Sequence, residues 1–123
     1  MNPGKTNIAD ERVYRTRILG TGAADPTKEA GPGVTVTWVA TGRYKYTFAN
    51  NPGTFVGVEA PVFGAATPSA VKGYSISHDT YDTTDDVFSI ELSLWDASNA
   101  AVDLAALQYL SASFVFSAQS GIT

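Results

Sequence analysis

The side chains best suited to chemistry are gathered around His78, the only histidine of the chain. Asp79 follows it directly, and Tyr81 and three further aspartates lie within residues 80–86. A histidine oriented by a carboxylate can act as a general base or ligate a metal ion. A catalytic triad also needs a nucleophile within hydrogen-bond reach, and no serine of this chain stands in a G-x-S-x-G motif. We therefore expect His78 to be a polar residue at the end of a strand, and the protein not to be an enzyme.

The aspartates of residues 79–86 could also supply the oxygen ligands that calcium prefers. The segment lacks the central glycine and the closing glutamate of an EF-hand loop. Aspartate and threonine are typical of turns as well, because their side chains bond to nearby backbone amides. We predict a solvated turn with no metal, no cofactor and no catalytic residue, and calcium binding is the alternative.

Two other patterns have the composition of binding motifs. The glycines of residues 20–22 and 31–33 could cradle a phosphate, but neither group leads into a Gly-Lys-Ser/Thr sequence or a G-x-G-x-x-G helix start. Arg43 and Lys45 alternate with tyrosines, a mixture found on surfaces that bind nucleic acid. Successive side chains of a strand point to opposite faces, so we predict tyrosines in the core and the two cations in solvent.

Composition narrows the class of partner. The chain has 123 residues, enough for one domain that buries roughly two-thirds of its unfolded surface. Charged residues make up 16%, below the usual share of about 25%, and the net charge of −4 argues against nucleic acid. There is no cysteine, and no apolar stretch approaches the length of a membrane span. We expect a weakly charged protein that packs against other proteins and binds neither nucleic acid nor membrane.

Alternation with a period of two dominates the chain and predicts strands. It is clearest over residues 34–40 and 43–49, which flank a Thr41-Gly42 turn, and returns over 87–95 and 109–117. The central core stripe is predicted to consist of Phe88, Ile90, Leu92 and Leu94.

The weaker patterns complete the expected domain. Residues 1–10 are predicted to form an extended or flexible arm, and residues 11–123 a single domain. A first strand is expected over 11–19, a loop over 20–33 and one helical turn within 96–108. We further expect an edge or bent strand over 55–63, because it contains Pro61, and a strand over 71–78 that pairs with 87–95.

Short strands at this spacing predict an all-β fold, an antiparallel β-sandwich. A jelly roll is the first choice for its topology and an immunoglobulin-like sandwich the second, since periodicity does not separate the two.

Two groups of residues are candidates for contact with a partner. Arg12, Arg15 and Arg17 place three of the eight cations of an acidic chain within six residues. They could be the polar face of an edge strand, or they could dock on an acidic neighbour. Trp95 falls out of phase with the core stripe and is a candidate interface anchor, a role in which tryptophan is enriched.

Several of these pieces together resemble small virion proteins of tailed bacteriophages. The resemblance covers residues 34–117 and consists of Thr41-Gly42-Arg43-Tyr44 with Phe48, then Trp95-Asp96-Ala97-Ser98, Asp103-Leu104-Ala105 and Phe114-Val115-Phe116. It implies a capsid decoration (cement) protein of jelly-roll type, assembled as a homotrimer on the major capsid protein. Such a protein would be made in the host cytoplasm and located on the surface of the phage head.

Two other classes of function stay open. A head-fibre or tail-fibre domain that recognises a host glycan or protein would display aromatic side chains in its loops. A β-sandwich hydrolase would need a convergent polar pocket, which a single histidine makes difficult to build.

Overall fold

The computed structural model describes residues 11–31, 33–49, 52–64, 70–82, 87–106 and 108–117, with the side chains of residues 63–64 and 77–82 outside that description. Within these residues the chain forms nine strands and no helix. The strands are β1 (Glu11–Leu19), β2 (Thr27–Ala30), β3 (Val34–Ala40), β4 (Arg43–Ala49), β5 (Thr54–Glu59), β6 (Val62–Gly64), β7 (Gly73–Asp82), β8 (Val87–Trp95) and β9 (Gln108–Ser117). The all-β prediction is confirmed, whereas the predicted arm over residues 1–10 lies outside the described residues.

Two antiparallel sheets pack face to face, which confirms the β-sandwich. The five-stranded sheet has the order β2-β1-β9-β5, with β6 also pairing with β9, and the four-stranded sheet has the order β3-β4-β8-β7. The pairs β1–β2, β3–β4 and β7–β8 are consecutive in sequence, and each stays within one sheet. The closing strand β9 lies between β1 and the β5–β6 segment, so the two ends of the domain meet in one sheet.

The core is formed by alternate residues of the inner strands, as predicted. Ile90, Leu92 and Leu94 are buried and Phe88 packs against them. Tyr44 and Tyr46 are fully buried while Arg43 and Lys45 are exposed, which confirms that the aromatic residues of β4 serve packing. Aromatic rings from both sheets meet in the centre of this core, in edge-on or tilted pairs whose centroids are 4.7–5.6 Å apart: Tyr14, Tyr46, Phe48, Phe55, Phe88, Phe114 and Phe116.

The predicted loop over 20–33 is wrong in part, because it contains the strand β2, which pairs with β1. The predicted strand over 55–63 is two strands, interrupted at Ala60 and Pro61 because proline cannot donate to a ladder.

The predicted helical turn within 96–108 is wrong for the described residues. Two of its backbone amides bond to other parts of the fold: Val102 N donates to the Leu94 carbonyl at 3.2 Å, and Leu104 N donates to the Tyr44 hydroxyl at 3.0 Å. The bonds within the segment are those of turns, such as Asn99 N to the Asp96 carbonyl at 3.0 Å. The contacts of Val102 and Leu104 hold the segment against β8 and β4.

The segment around His78 also differs from expectation. The strand β7 continues to Asp82, so His78 lies within a strand and not at its end. A β-bulge between Ile76 and His78 shifts the register there. Residues 79–82 are part of the ladder with β8, and residues 83–86, the remainder of the predicted turn, lie outside the described residues.

Candidate functional site

For the residues around His78 that have potential for chemistry, the structure describes the backbone of residues 78–82 and not the side chains. The backbone of His78 lies opposite Glu91, and the Glu91 carboxylate is paired with Arg43 at 2.7 Å on the outer face of the four-stranded sheet. Within the described residues, no group of three or more histidine, cysteine or acidic side chains is placed to hold a metal ion. The side chains of residues 79–82 and all of residues 83–86 lie outside the described part of the chain, so calcium binding there stays a prediction.

Part of the motif of the resemblance, Gly42 and Asp103, lies together at one end of the sandwich and makes structural hydrogen bonds. The carboxylate oxygen Oδ1 of Asp103 accepts from Trp38 Nε1 at 2.8 Å and from Gly42 N at 2.7 Å. Gly42 has φ 71°, and a Cβ there would lie 2.7 Å from the Leu94 carbonyl oxygen, so the turn requires glycine. The motif thus fixes the β3–β4 turn against the segment that follows β8.

Two buried tyrosines on β4 differ in how their hydroxyl groups are satisfied. The Tyr44 hydroxyl accepts the hydrogen bond from Leu104 N, whereas the Tyr46 hydroxyl has no hydrogen-bond partner within the described residues. The Thr16 hydroxyl is near Tyr46 but donates to the Ala112 carbonyl at 2.9 Å. Burial raises the pKa of Tyr44 to about 12, and complete burial raises the pKa of Tyr46 further.

These two hydroxyls give a matched pair of variants. Tyr44→Phe should lower the free energy of unfolding by about 1 kcal/mol, because Leu104 N loses its acceptor. Tyr46→Phe should leave it unchanged or raise it by up to about 1 kcal/mol, because an unpaired buried hydroxyl is removed. Urea denaturation of both variants measures the difference, and an equal loss in both would contradict the assignment.

The same burial predicts alkaline unfolding. Well below pH 10 both tyrosines are neutral in the folded and the unfolded chain. As the pH rises from 10 towards 12 the unfolded chain ionises first, so stability falls across this interval. Tyrosinate absorbance should therefore rise together with the loss of the β-sheet circular dichroism signal, and ionisation without unfolding would contradict the prediction.

The free edge of β3 is partly covered by side chains of the preceding residues 25–28, which include the first half of β2. Asp25 Oδ1 accepts from Trp38 N at 2.8 Å, and Lys28 Nζ donates to the carbonyl of Val34 at 2.6 Å. An open strand edge is a template for pairing with another chain, and these side chains occupy it. Contact with a partner is therefore better sought on a sheet face than at this edge.

The outer face of the five-stranded sheet combines exposed apolar side chains with charges that have no partner within the described residues. Cross-strand pairing places Val13, Val115 and Gly57 in one row, and Arg15, Ser113 and Glu59 in the next. Val13 is 46% exposed, and Val56, the extra residue of a bulge beside Gly57, is 57% exposed. We call this surface, defined by these two rows and Val56, the contact face.

The contact face is grooved along β9. The groove is open because Ser113 has a small side chain and Gly57 has none. A Cβ added at Gly57 would meet no atom within 4 Å. The resulting open groove has a volume of about 540 Å³ and is lined by residues of β1, β5 and β9. Arg15 and Glu59 stand on opposite sides of it, about 10 Å apart, because two strand spacings separate them. Neither side chain forms a hydrogen bond or ion pair within the described residues.

The three arginines predicted to contact a partner are not equivalent. Arg15 lies on the contact face, whereas Arg12 leaves β1 on the other side and is exposed. Arg17 is bound within the domain, with Nε 2.9 Å from Glu29 Oε1 and Cζ 4.2 Å from the centroid of the Tyr109 ring. The three arginines are close in sequence but do not form one cluster in the fold. Arg15 and Arg12 lie on different sides of β1, and Arg17 is in an ion pair with Glu29.

Trp95, the predicted interface anchor, lies half-buried at the end of β8, on the face opposite the core stripe. Its indole packs over Gly73 of β7, where an added Cβ would clash with the Trp95 ring at Nε1. This internal contact accounts for the glycine at position 73. Val13 and Val56 are more exposed than Trp95, although neither was predicted from the sequence to contact a partner. The exposure of Val13 could have been predicted, because its position in the alternation of β1 points away from the core.

The described part of the chain contains no helix with the length and apolar character needed to cross a membrane. Comparisons of the chain with protein-family models, with curated proteins and with solved structures find no match.

Proposed function

We propose that this protein is a structural protein of a tailed-phage virion, a decoration protein that binds the outside of the head and reinforces contacts between capsomers. The observation that carries the proposal is the contact face, a partly apolar surface bordered by charges that have no partner within the described residues. Exposed apolar surface rimmed by polar residues is typical of protein–protein contact sites. The sequence resemblance to small virion proteins favours a phage head as the assembly to which this protein binds.

The polar side chains of the described residues support a structural role. Asp103, Asp25 and Lys28 bond to backbone or indole groups of the fold, and Tyr44 anchors a loop. An active site instead arranges such groups around a cleft in which a substrate can react. In this chain the four side chains point into the scaffold, where they hold turns and strand edges in place.

A second part of the proposal concerns which residues of this chain contact the head. Of the three candidate arginines, Arg17 is held by Glu29 and Arg15 lies over the contact face. Arg12 is exposed and has no partner within the described residues, next in sequence to residues 1–10. We therefore propose that residues 1–12 contact the major capsid protein, and that the sandwich acts as the rigid body they attach.

The test uses purified protein mixed with undecorated heads, with bound protein and the temperature of head disruption as readouts. A ligand stabilises the state that it binds, so the intact chain should bind and raise the disruption temperature. A deletion must stop at residue 10, because β1 begins at Glu11 and pairs with β9 along its whole length. Deletion of 1–10, and Arg12→Glu in the full chain, should reduce occupancy.

Lys72→Glu reverses a cation that precedes β7 and is the control that should bind normally. Failure of the intact chain to bind heads or to raise their disruption temperature would overturn the proposed function.

A further inference from the structure

We infer that the contact face binds a second copy of this chain, in a two-fold symmetric dimer and not in the homotrimer that the sequence resemblance implies. The axis of the dimer lies above β9 and parallel to it. The inference deepens the proposed function and rests on it for the role of this face as a protein contact surface. Its occupant follows from the arrangement of charge and shape across the groove.

The charges of the contact face are complementary to themselves. A two-fold axis along β9 carries β1 of one copy over β5 of the other, and the row of Ser113 over the same row of its partner. Arg15 of each copy then lies over Glu59 of the other, and the contact occurs twice because a two-fold interface is reciprocal. Both side chains are without a partner in the described part of a single chain, so the dimer satisfies two cations and two carboxylates together.

The shape of the face obeys the same symmetry. In the neighbouring row, Val115 lies near the axis, with Val13 on one side and Gly57 on the other. Val13 projects into solvent, and the space above Gly57 is open. The symmetry operation places the Val13 side chain of each copy over Gly57 of the other. At both of these positions, therefore, a projecting valine side chain of one copy fills the open space above a glycine of the other.

The available area suits a small interface. A two-fold axis along β9 overlays β1, β9 and the β5–β6 segment, which are three strips of nine or ten residues each. At about 3.4 Å per residue and about 4.8 Å between strands they present roughly 450 Å². Two such faces bury roughly 900 Å², the size class of weak or transient protein–protein interfaces. Sheets packed with their strands nearly aligned also lie about 10 Å apart, a distance that side chains from both faces can fill.

A charge exchange tests the dimer on the full-length chain by sedimentation equilibrium over a concentration series. The wild-type chain should sediment with twice the chain mass of 13.0 kDa. Arg15→Glu alone and Glu59→Arg alone should each weaken the dimer by about tenfold or more, because like charges then face each other twice. The double variant Arg15→Glu/Glu59→Arg should restore dimerisation, since the exchanged charges pair again.

Gly57→Val tests the shape of the face independently of charge. The added Cβ meets no atom of its own chain within 4 Å, so the fold should melt as the wild type does, yet the side chain fills the position of Val13 from the other copy. This variant should be monomeric, and Lys72→Glu should remain dimeric. A monomeric or trimeric wild-type chain, or a double charge variant as weak as the single ones, would overturn the inference. A monomer that still binds heads would overturn the dimer and leave the proposed function in place.

Discussion

Replacing Phe114 with alanine is expected to lower the free energy of unfolding by about 3–5 kcal/mol, a larger loss than we expect from any other single substitution in this chain. Phe114 is fully buried on the central strand β9. Its ring centroid lies 4.7 Å from that of Tyr46 and 5.2 Å from that of Phe48, both on the opposing sheet. The truncation therefore leaves a cavity where the two sheets meet, and urea denaturation measures the loss.

The matched control is Ser113→Ala, the adjacent residue on the outer face of the same strand. It should change the free energy of unfolding by less than about 0.5 kcal/mol, because surface substitutions rarely exceed that value. Equal losses in the two variants would mean that the inward and outward faces of β9 are reversed.

The second large effect is expected at Asp103. Asp103→Ala should lower the free energy of unfolding by about 2–4 kcal/mol, since hydrogen bonds to a charged group contribute about 1.5–3 kcal/mol each. It leaves Gly42 N without its acceptor in a part-buried turn and Trp38 Nε1 without its partner. Thermal or chemical unfolding of the purified variant measures the effect.

Asp103→Asn is the conservative control, because it retains a carbonyl oxygen in place of Oδ1. It should restore most of the stability lost in the alanine variant, with a residual loss of about 1 kcal/mol for the missing charge. If the alanine and asparagine variants are equally stable, the hydrogen bonds of Asp103 do not hold the β3–β4 turn.

Local sequence signals predicted the sandwich because each strand carries its own pattern. The alternation of β4 and β8 identified their inward faces, and Gly42 marked the turn between β3 and β4. The exceptions were decided by partners distant in sequence. The apolar segment around Leu104 resembles a helical turn, but Tyr44 and Leu94 supply the bonds that a helix would make internally. The strand β2 was missed because its four residues are exposed and lack alternation.

The contact face could be predicted only in part. The outward phase of Val13 and Arg15 is visible in the sequence, but their neighbours on β9 and β5 depend on pairings across the chain. The bulge that exposes Val56 beside Gly57 leaves no local pattern. The pairing of Arg17 with Glu29 likewise depends on β2, so the sequence did not show that, of the three candidate arginines, Arg15 alone lies on the contact face.

Quantitative mass spectrometry of phage particles purified from the host that carries this gene tests directly whether the protein is a structural component of the head. We expect the chain to be present in many copies, in a fixed ratio to the major capsid protein. A few copies per particle would favour the fibre-domain alternative, and absence from purified particles would contradict the virion assignment altogether.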